Sequence, residues 1–193
     1  MSRAIFAVMA LAMLAACGGG YNTSPRNLDN ACSILKQRPS YLRAFQNTQR
    51  KWGVPVHVQM ATIYQESKFD GNARTPYQWK LGVIPMGRQS SAYGYAQALD
   101  GTWDDYKKGP GRRGAKRTNI RDATDFMGWY MNETQRRNGI PLYDARNQYL
   151  AYHEGHTGYA RGSHNRKAWL VRVADSVQRR ANTYQAQLQT CAR

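Results

Sequence analysis

Leu170, Val173, Ala174, Val177, Ala181, Tyr184 and Leu188 recur at steps of three and four residues near the end of the chain. That repeat places them along one face of an α-helix. Arg166, Lys167, Arg172, Arg179 and Arg180 fall mostly elsewhere on the same helix. The helical period dominates from Pro39 onward. Pro55 stands near the first turn of a helix expected to end around Gly71, a pairing that suits helix start and stop signals. Segments around 95–106, 122–138 and 144–154 also read as helix. Strand signals are weak and internal repeats are absent. The expectation is a mainly α fold in a single domain, since 193 residues are enough for one real core and too few for two.

Two irregular stretches interrupt the pattern. Residues 71–91 contain Pro76, Tyr77, Trp79, Pro85 and Met86 without a clear period. Residues 107–121, "KKGPGRRGAKRTNIR", hold seven Lys or Arg and no acid. Either can line a groove, though a solvated loop is the ordinary reading of the second.

The first residues, "MSRAIFAVMALAMLAAC", run from Arg3 through an apolar stretch without an acid and end in small residues. That is a secretory signal pattern, too short to span a bilayer comfortably. Its ending, Leu14-Ala15-Ala16-Cys17, resembles a bacterial lipobox, in which Cys17 becomes the lipidated first residue of the mature chain. The alternative is a plain signal peptide with Cys17 beyond the cut. Gly18 stands where a retention aspartate would hold such a lipoprotein at the inner membrane, so analogy favours a periplasmic protein anchored to the outer membrane. On this reading residues 1–16 are the signal peptide, 17–38 a tether and N-terminal segment, and 39–193 the folded domain. Residues 18–30, rich in Gly, Asn and Ser, read as the tether.

Cys17, Cys32 and Cys191 are the only cysteines. If Cys17 carries lipid, an even pair remains in an oxidising compartment, and a Cys32–Cys191 bond would tie both ends of the mature chain to one body. Two buried free thiols are the alternative. The formal net charge is +16, with 28 Lys and Arg against 12 Asp and Glu. Only Arg3 leaves with the signal. Such a chain suits a polyanionic partner: nucleic acid, an anionic membrane face or an acidic wall polymer. Export counts against nucleic acid, as does a basic loop without interleaved aromatics for base stacking.

Glu66, in "ATIYQESKFDGNA", carries the chemistry. On a helical wheel it lies at the edge of the stripe made by Val56, Met60 and Ile63, about 100° from its centre. A carboxyl there can be half buried, and desolvation raises its pKa toward what a general acid needs. Taken alone, the arrangement also fits an ordinary surface glutamate.

Three motifs in order decide between these. Glu66-Ser67-Lys68-Phe69 resembles the E-S-x-F motif of family 1 lytic transglycosylases, which carry a soluble-lytic-transglycosylase (SLT) domain. Ser91-Ala92-Tyr93-Gly94-Tyr95-Ala96-Gln97 resembles that family's G-A-x-G-L-M-Q, and Ala151-Tyr152-His153-Glu154-Gly155 its A-Y-N-x-G. The resemblance spans roughly residues 50–180. It implies a lysozyme-like (goose-type/SLT) fold and peptidoglycan glycan strands as partner. It makes Glu66 the single catalytic acid/base. It places Ser67 against the substrate, Gln97 in a hydrogen bond to the glycan, and Tyr152 within reach of Glu66 to orient it. Independently, Gly94 suits a place where backbone approaches sugar. Ser91, Tyr95, Ala96 and His153 depart from the family pattern. About twenty residues separate Phe69 from the second motif, a longer insertion than the family usually carries. These departures bear on subsite shape.

The resemblance also implies a reaction that needs one carboxylate where most glycosidases need two. Glu66 protonates the oxygen of the β-1,4 bond between N-acetylmuramic acid and N-acetylglucosamine, the acetamido group supports the cationic carbon, and a 1,6-anhydromuramoyl end forms. No metal or cofactor is required. His153-Glu154-Gly155-His156 falls one residue short of the zinc-protease H-E-x-x-H, Gly155 works against a continuous helix there, and His164 would have to fold back to serve as a third ligand. Two rival readings remain. A lysozyme-type hydrolase would need Asp70, Asp100 or Glu154 as a second carboxylate. A non-catalytic peptidoglycan-binding lipoprotein would not need an intact Glu66. Wall turnover, insertion of an envelope-spanning secretion or pilus machine, and division all call for the same cut.

Overall fold

The structure, a computed structural model, describes residues 22–191. The leader, Cys17 and residues 18–21 lie outside them, and so does the lipobox reading. The described residues form seven α-helices: Ala31–Gln37 (α1), Pro39–Trp52 (α2), Val56–Ser67 (α3), Asp100–Lys108 (α4), Ile120–Asn138 (α5), Ala145–Ala160 (α6) and Ala168–Cys191 (α7). A 3-10 turn at Ser163–Arg166 precedes α7. The mainly α expectation holds.

Local chemistry sets the helix ends. The Asn30 side chain accepts from Ser33 N at the start of α1, and Asp144 does the same from Asn147 N at the start of α6, satisfying donors that a helix leaves unpaired. Pro39 takes the first position of α2, where its missing N–H costs nothing. Along α7 the predicted stripe is the buried one: Leu170, Ala174, Val177, Ala181 and Tyr184 are sealed, with Val173 and Leu188 packed at its margin. The face of α7 meets α3 and α6, while α2 packs on α5 and α5 on α6. The end of α3 that carries Glu66 is thereby brought beside α6, which carries the third motif.

Three boundaries differ from expectation. Helix α3 stops at Ser67, short of Gly71, because Lys68 and Phe69 both adopt left-handed backbone, with φ of 53° and 60°. Such conformations are uncommon for non-glycine residues. Here the turn drives Phe69 fully into the core, where its ring stacks on Tyr41 with centroids 6.1 Å apart. Helix α4 starts at Asp100 rather than near 95, since Tyr93 bridges to Ala98 and Gln97 turns the chain at φ 46°. Helix α6 runs to Ala160 but breaks at Gly155, whose φ of 74° and ψ of 158° are not helical.

Residues 71–91 hold an antiparallel hairpin, Tyr77–Lys80 (β1) with Ile84–Arg88 (β2). The basic stretch 107–121 is pinned in part. Arg112 grips Asp122 with two nitrogens at 3.0 and 2.9 Å, and Arg117 reaches Asp100 at 2.5 Å and the Ala98 carbonyl at 2.8 Å. The ends meet as well: Cys32 and Cys191 form a disulfide.

Residues 22–30, tether-like in composition, run over the helical body. Gly71 N donates to Asn22 O at 2.6 Å, Arg38 to Thr23 O at 3.1 Å, and Arg180 pairs with Asp29 at 2.9 Å. Pro25 is buried.

Candidate active site

Glu66 sits one residue before the end of α3, where the helix is buried around much of its circumference: Gln59, Thr62 and Ser67 are sealed along with Val58, Met60, Ala61 and Ile63. The residue keeps partial exposure, while protein atoms crowd its carboxyl. That crowding pushes its pKa up to about 7, against a hydrogen bond from Tyr149 and the charge of Lys68, which both act to lower it. Burial dominates because removing a carboxylate from water costs more than one phenol and one partly solvated cation return.

The Tyr149 phenol is the neighbour that most lowers the Glu66 pKa. Tyr149 and Tyr152 are three residues apart on α6, hence on one face, and both phenols are held above their usual range, first by burial and then by the Glu66 charge. Tyr152 therefore stands within electrostatic reach of Glu66, but its hydroxyl donates to the Ala96 carbonyl at 2.6 Å. Tyr149 as well as Tyr152 therefore bears on the Glu66 charge. What Tyr152 does is tie α6 to the second motif.

Ser67 lies against the second motif. Its hydroxyl faces inward, donating to the Tyr95 carbonyl at 2.8 Å and lying 3.2 Å from that of Ile63. It joins the first motif to the second. Gln97 spends both amide hydrogens inside the fold, on the Ala73 carbonyl at 2.9 Å and the Gly94 carbonyl at 2.8 Å. Its amide oxygen is the group it can offer a sugar. Gly94 serves protein rather than glycan: a Cβ there would come within 2.2 Å of the Arg117 carbonyl oxygen. Tyr95, in place of the family's leucine, meets the Tyr41 hydroxyl at 2.9 Å in the core.

A cleft of about 230 Å³ opens between the second and third motifs, walled by Gln97, Leu99, Thr102, Tyr130, Tyr152 and Glu154 among others. Ordinary small-molecule sites run to roughly 300–1,000 Å³, so this cleft holds part of a chain rather than a whole ligand. Glu66 is not in its wall, and Tyr152 connects the two.

The candidate second carboxylates have other work. Asp70 accepts from Asn72 N at 2.8 Å in a local turn, and Asp100 pairs with Arg117. Glu154, its side chain only 4% exposed, lies 2.7 Å from Lys167 Nζ and 3.0 Å from His153, and also receives the Ser163 hydroxyl. Burial would raise its pKa, but those three partners outweigh it and draw it down to about 2. The imidazoles diverge: His153 packs edge-on to Trp169, His156 stacks on Tyr130 and His164 on Tyr159. Among the described residues no group of three His, Cys, Asp or Glu side chains is placed to hold a metal ion.

A carboxyl with a pKa of about 7 at the end of α3, with Tyr149 and Tyr152 around it, is what the fold brings together here. The chain belongs to the transglycosylase SLT domain family, whose profile matches residues 5–191. That family's function is of the lytic transglycosylase type, acting on peptidoglycan. No curated protein matches the sequence.

Proposed function

We propose that this protein cleaves the β-1,4 bond between N-acetylmuramic acid and N-acetylglucosamine and leaves a 1,6-anhydromuramoyl end. The observation that carries the reading is Glu66, protonated up to about pH 7 and aligned by Tyr149, with no comparably free partner in Asp70, Asp100 or Glu154. Glu66 donates its proton to the glycosidic oxygen as the bond from that oxygen to the muramoyl anomeric carbon breaks. The acetamido oxygen of the same sugar supports the electron-poor carbon, taking the place of a protein nucleophile. The Glu66 carboxylate then accepts the proton of the 6-hydroxyl, whose oxygen bonds to the anomeric carbon. The acid is regenerated and no water is consumed.

A pKa near the working pH serves both halves, because the same group must give a proton and then take one. The Tyr149 hydrogen bond supports the second half by steadying the carboxylate. Gln97 and Tyr152, on the cleft wall, are proposed to touch the glycan. Ser67 acts through the protein, by fixing the second motif against α3. Lipidation of Cys17 and anchoring to the periplasmic face of the outer membrane belong to the same proposal. They would set a basic protein against an acidic polymer.

The test is cleavage of purified sacculi by Glu66→Gln and by Asp70→Asn, Asp100→Asn and Glu154→Gln. Loss of acid–base catalysis lowers the rate by roughly 10²–10⁴-fold, and that fall is expected for Glu66→Gln alone, with binding to sacculi retained. A second substitution equally inactive while still folded would point to a two-carboxylate hydrolase.

A further inference from the structure

The hairpin β1–β2 is not explained by the site. Every residue of β1 and most of β2 are exposed, so neither face of the ribbon is covered by the body. Six of its exposed side chains are nonetheless large and apolar. Leu81 is 85% exposed, Val83 74%, Met86 60% and Trp79 57%, with Tyr77 and Ile84 about half exposed. A two-stranded hairpin is marginal by itself in water, and an apolar patch of this kind marks an interaction surface. The tip sharpens the point. Leu81 sits at φ 53° and Gly82 at φ 75°, the left-handed pair of a tight hairpin turn that favours Asn-Gly. A leucine there costs conformational energy and is aimed at solvent.

Charge narrows the occupant. No Asp or Glu occurs between Asp70 and Asp100, whereas Arg74, Lys80 and Arg88 flank the apolar residues. Aliphatic tips with Trp and Tyr behind them and cations around suit a lipid interface, where aromatics settle at headgroup depth and cations meet anionic lipid. Sugars call for flat aromatic stacking and many polar groups, which Leu81, Val83, Ile84 and Met86 do not supply.

The route of the chain agrees. Asn22, the first described residue, is held by Gly71 N at 2.6 Å, and Gly71 begins the segment that bears the hairpin. Cys17 is five residues earlier, at most about 16–18 Å of extended chain. A lipid on Cys17 would therefore hold this side of the protein against the bilayer. This step rests on the proposed lipidation, whereas the composition of the hairpin does not.

We propose that the β1–β2 hairpin inserts its tip into an anionic lipid surface beside the N-terminal anchor, fixing the orientation in which Glu66 meets the wall. With the hairpin and the anchor both on the bilayer, the strands that Glu66 cuts are those within reach of the membrane.

The test uses the chain from residue 17 onward with Cys17→Ser, which carries no lipid and keeps every described residue. Flotation with vesicles of phosphatidylglycerol and phosphatidylethanolamine is compared with binding to purified sacculi. Leu81→Ser/Val83→Ser/Met86→Ser keeps all the cations, and its vesicle binding is expected to fall roughly tenfold or more because partition follows buried apolar area, while binding and digestion of sacculi stay unchanged. Leu81→Trp is expected to tighten vesicle binding, a gain that a merely disrupted hairpin would not give. Equal vesicle binding by all three proteins would mean surface charge alone, and overturns the proposal. So would a triple variant that loses sacculi and keeps vesicles, which would make the hairpin a glycan grip. An inactive parent that still binds vesicles through the hairpin would refute the catalytic reading and leave this one standing.

Discussion

The Tyr149 phenol is the neighbour that most lowers the Glu66 pKa, whereas Tyr152, one helical turn further along, donates to the Ala96 carbonyl. The two phenols therefore separate in what they do. Tyr149→Phe removes a bond that favours the charged acid. A polar contact with a charged group is worth about 1.5–3 kcal/mol, so the Glu66 pKa, and with it the alkaline limb of kcat/KM, should rise by roughly one to two units. Tyr152→Phe leaves a backbone carbonyl without its donor, and should cost about 1–3 kcal/mol of stability with little movement of that limb. The pH–rate profiles and melting curves of the pair distinguish the roles.

Burial of Glu66 also has a thermodynamic sign. Its folded pKa, about 7, lies above the ordinary value of 4.5, so between those pH values the folded state binds the extra proton. Stability then falls as pH rises through that window and stays lower above it. The cost at pH 8 is at most about 3 kcal/mol. Glu66→Gln abolishes it. The variant should melt higher than wild type at pH 8, with the gap narrowing toward pH 5.

Glu154 has the opposite sign. Its pKa is drawn down to about 2 by Lys167, Ser163 and His153, so the stabilisation is whole above the ordinary carboxylate range and is lost as pH falls toward 2. Lys167 is 42% exposed, which weakens the ion pair by solvent screening. Glu154→Gln should cost roughly 1–3 kcal/mol at neutral pH by denaturant titration and leave the chemistry at Glu66 in place.

The Cys32–Cys191 bond closes a separation of 159 residues and fastens α7 to α1. Cys191→Ser should lower stability by about 2–5 kcal/mol. The first loss should be protection of α1 amides in hydrogen exchange, since Gln187 also holds Ala31 N and the Asp29 carbonyl.

Local signals were legible and tertiary ones were not. The α7 stripe could be read because periodicity is a property of one segment, and the SLT family because three motifs occur in order. Which way Ser67 faces depends on the Tyr95 carbonyl meeting it across 28 residues, and no short motif carries that. Tyr149 had a usable signal, its three-residue offset from Tyr152 on one helix face. The hairpin had one too. Tyr77, Trp79, Leu81 and Val83 alternate with Gln78, Lys80 and Gly82, but Pro76 and Pro85 break up the strand pattern, and with both faces exposed there is no buried side to confirm it.

The most direct measurement is mass spectrometry of the muropeptides released from purified sacculi by the wild-type protein. A single acid that returns its proton through the 6-hydroxyl predicts fragments ending in 1,6-anhydromuramic acid, absent from a Glu66→Gln digest. Fragments ending mainly in reducing N-acetylmuramic acid, with water taken up at the break, would contradict the account.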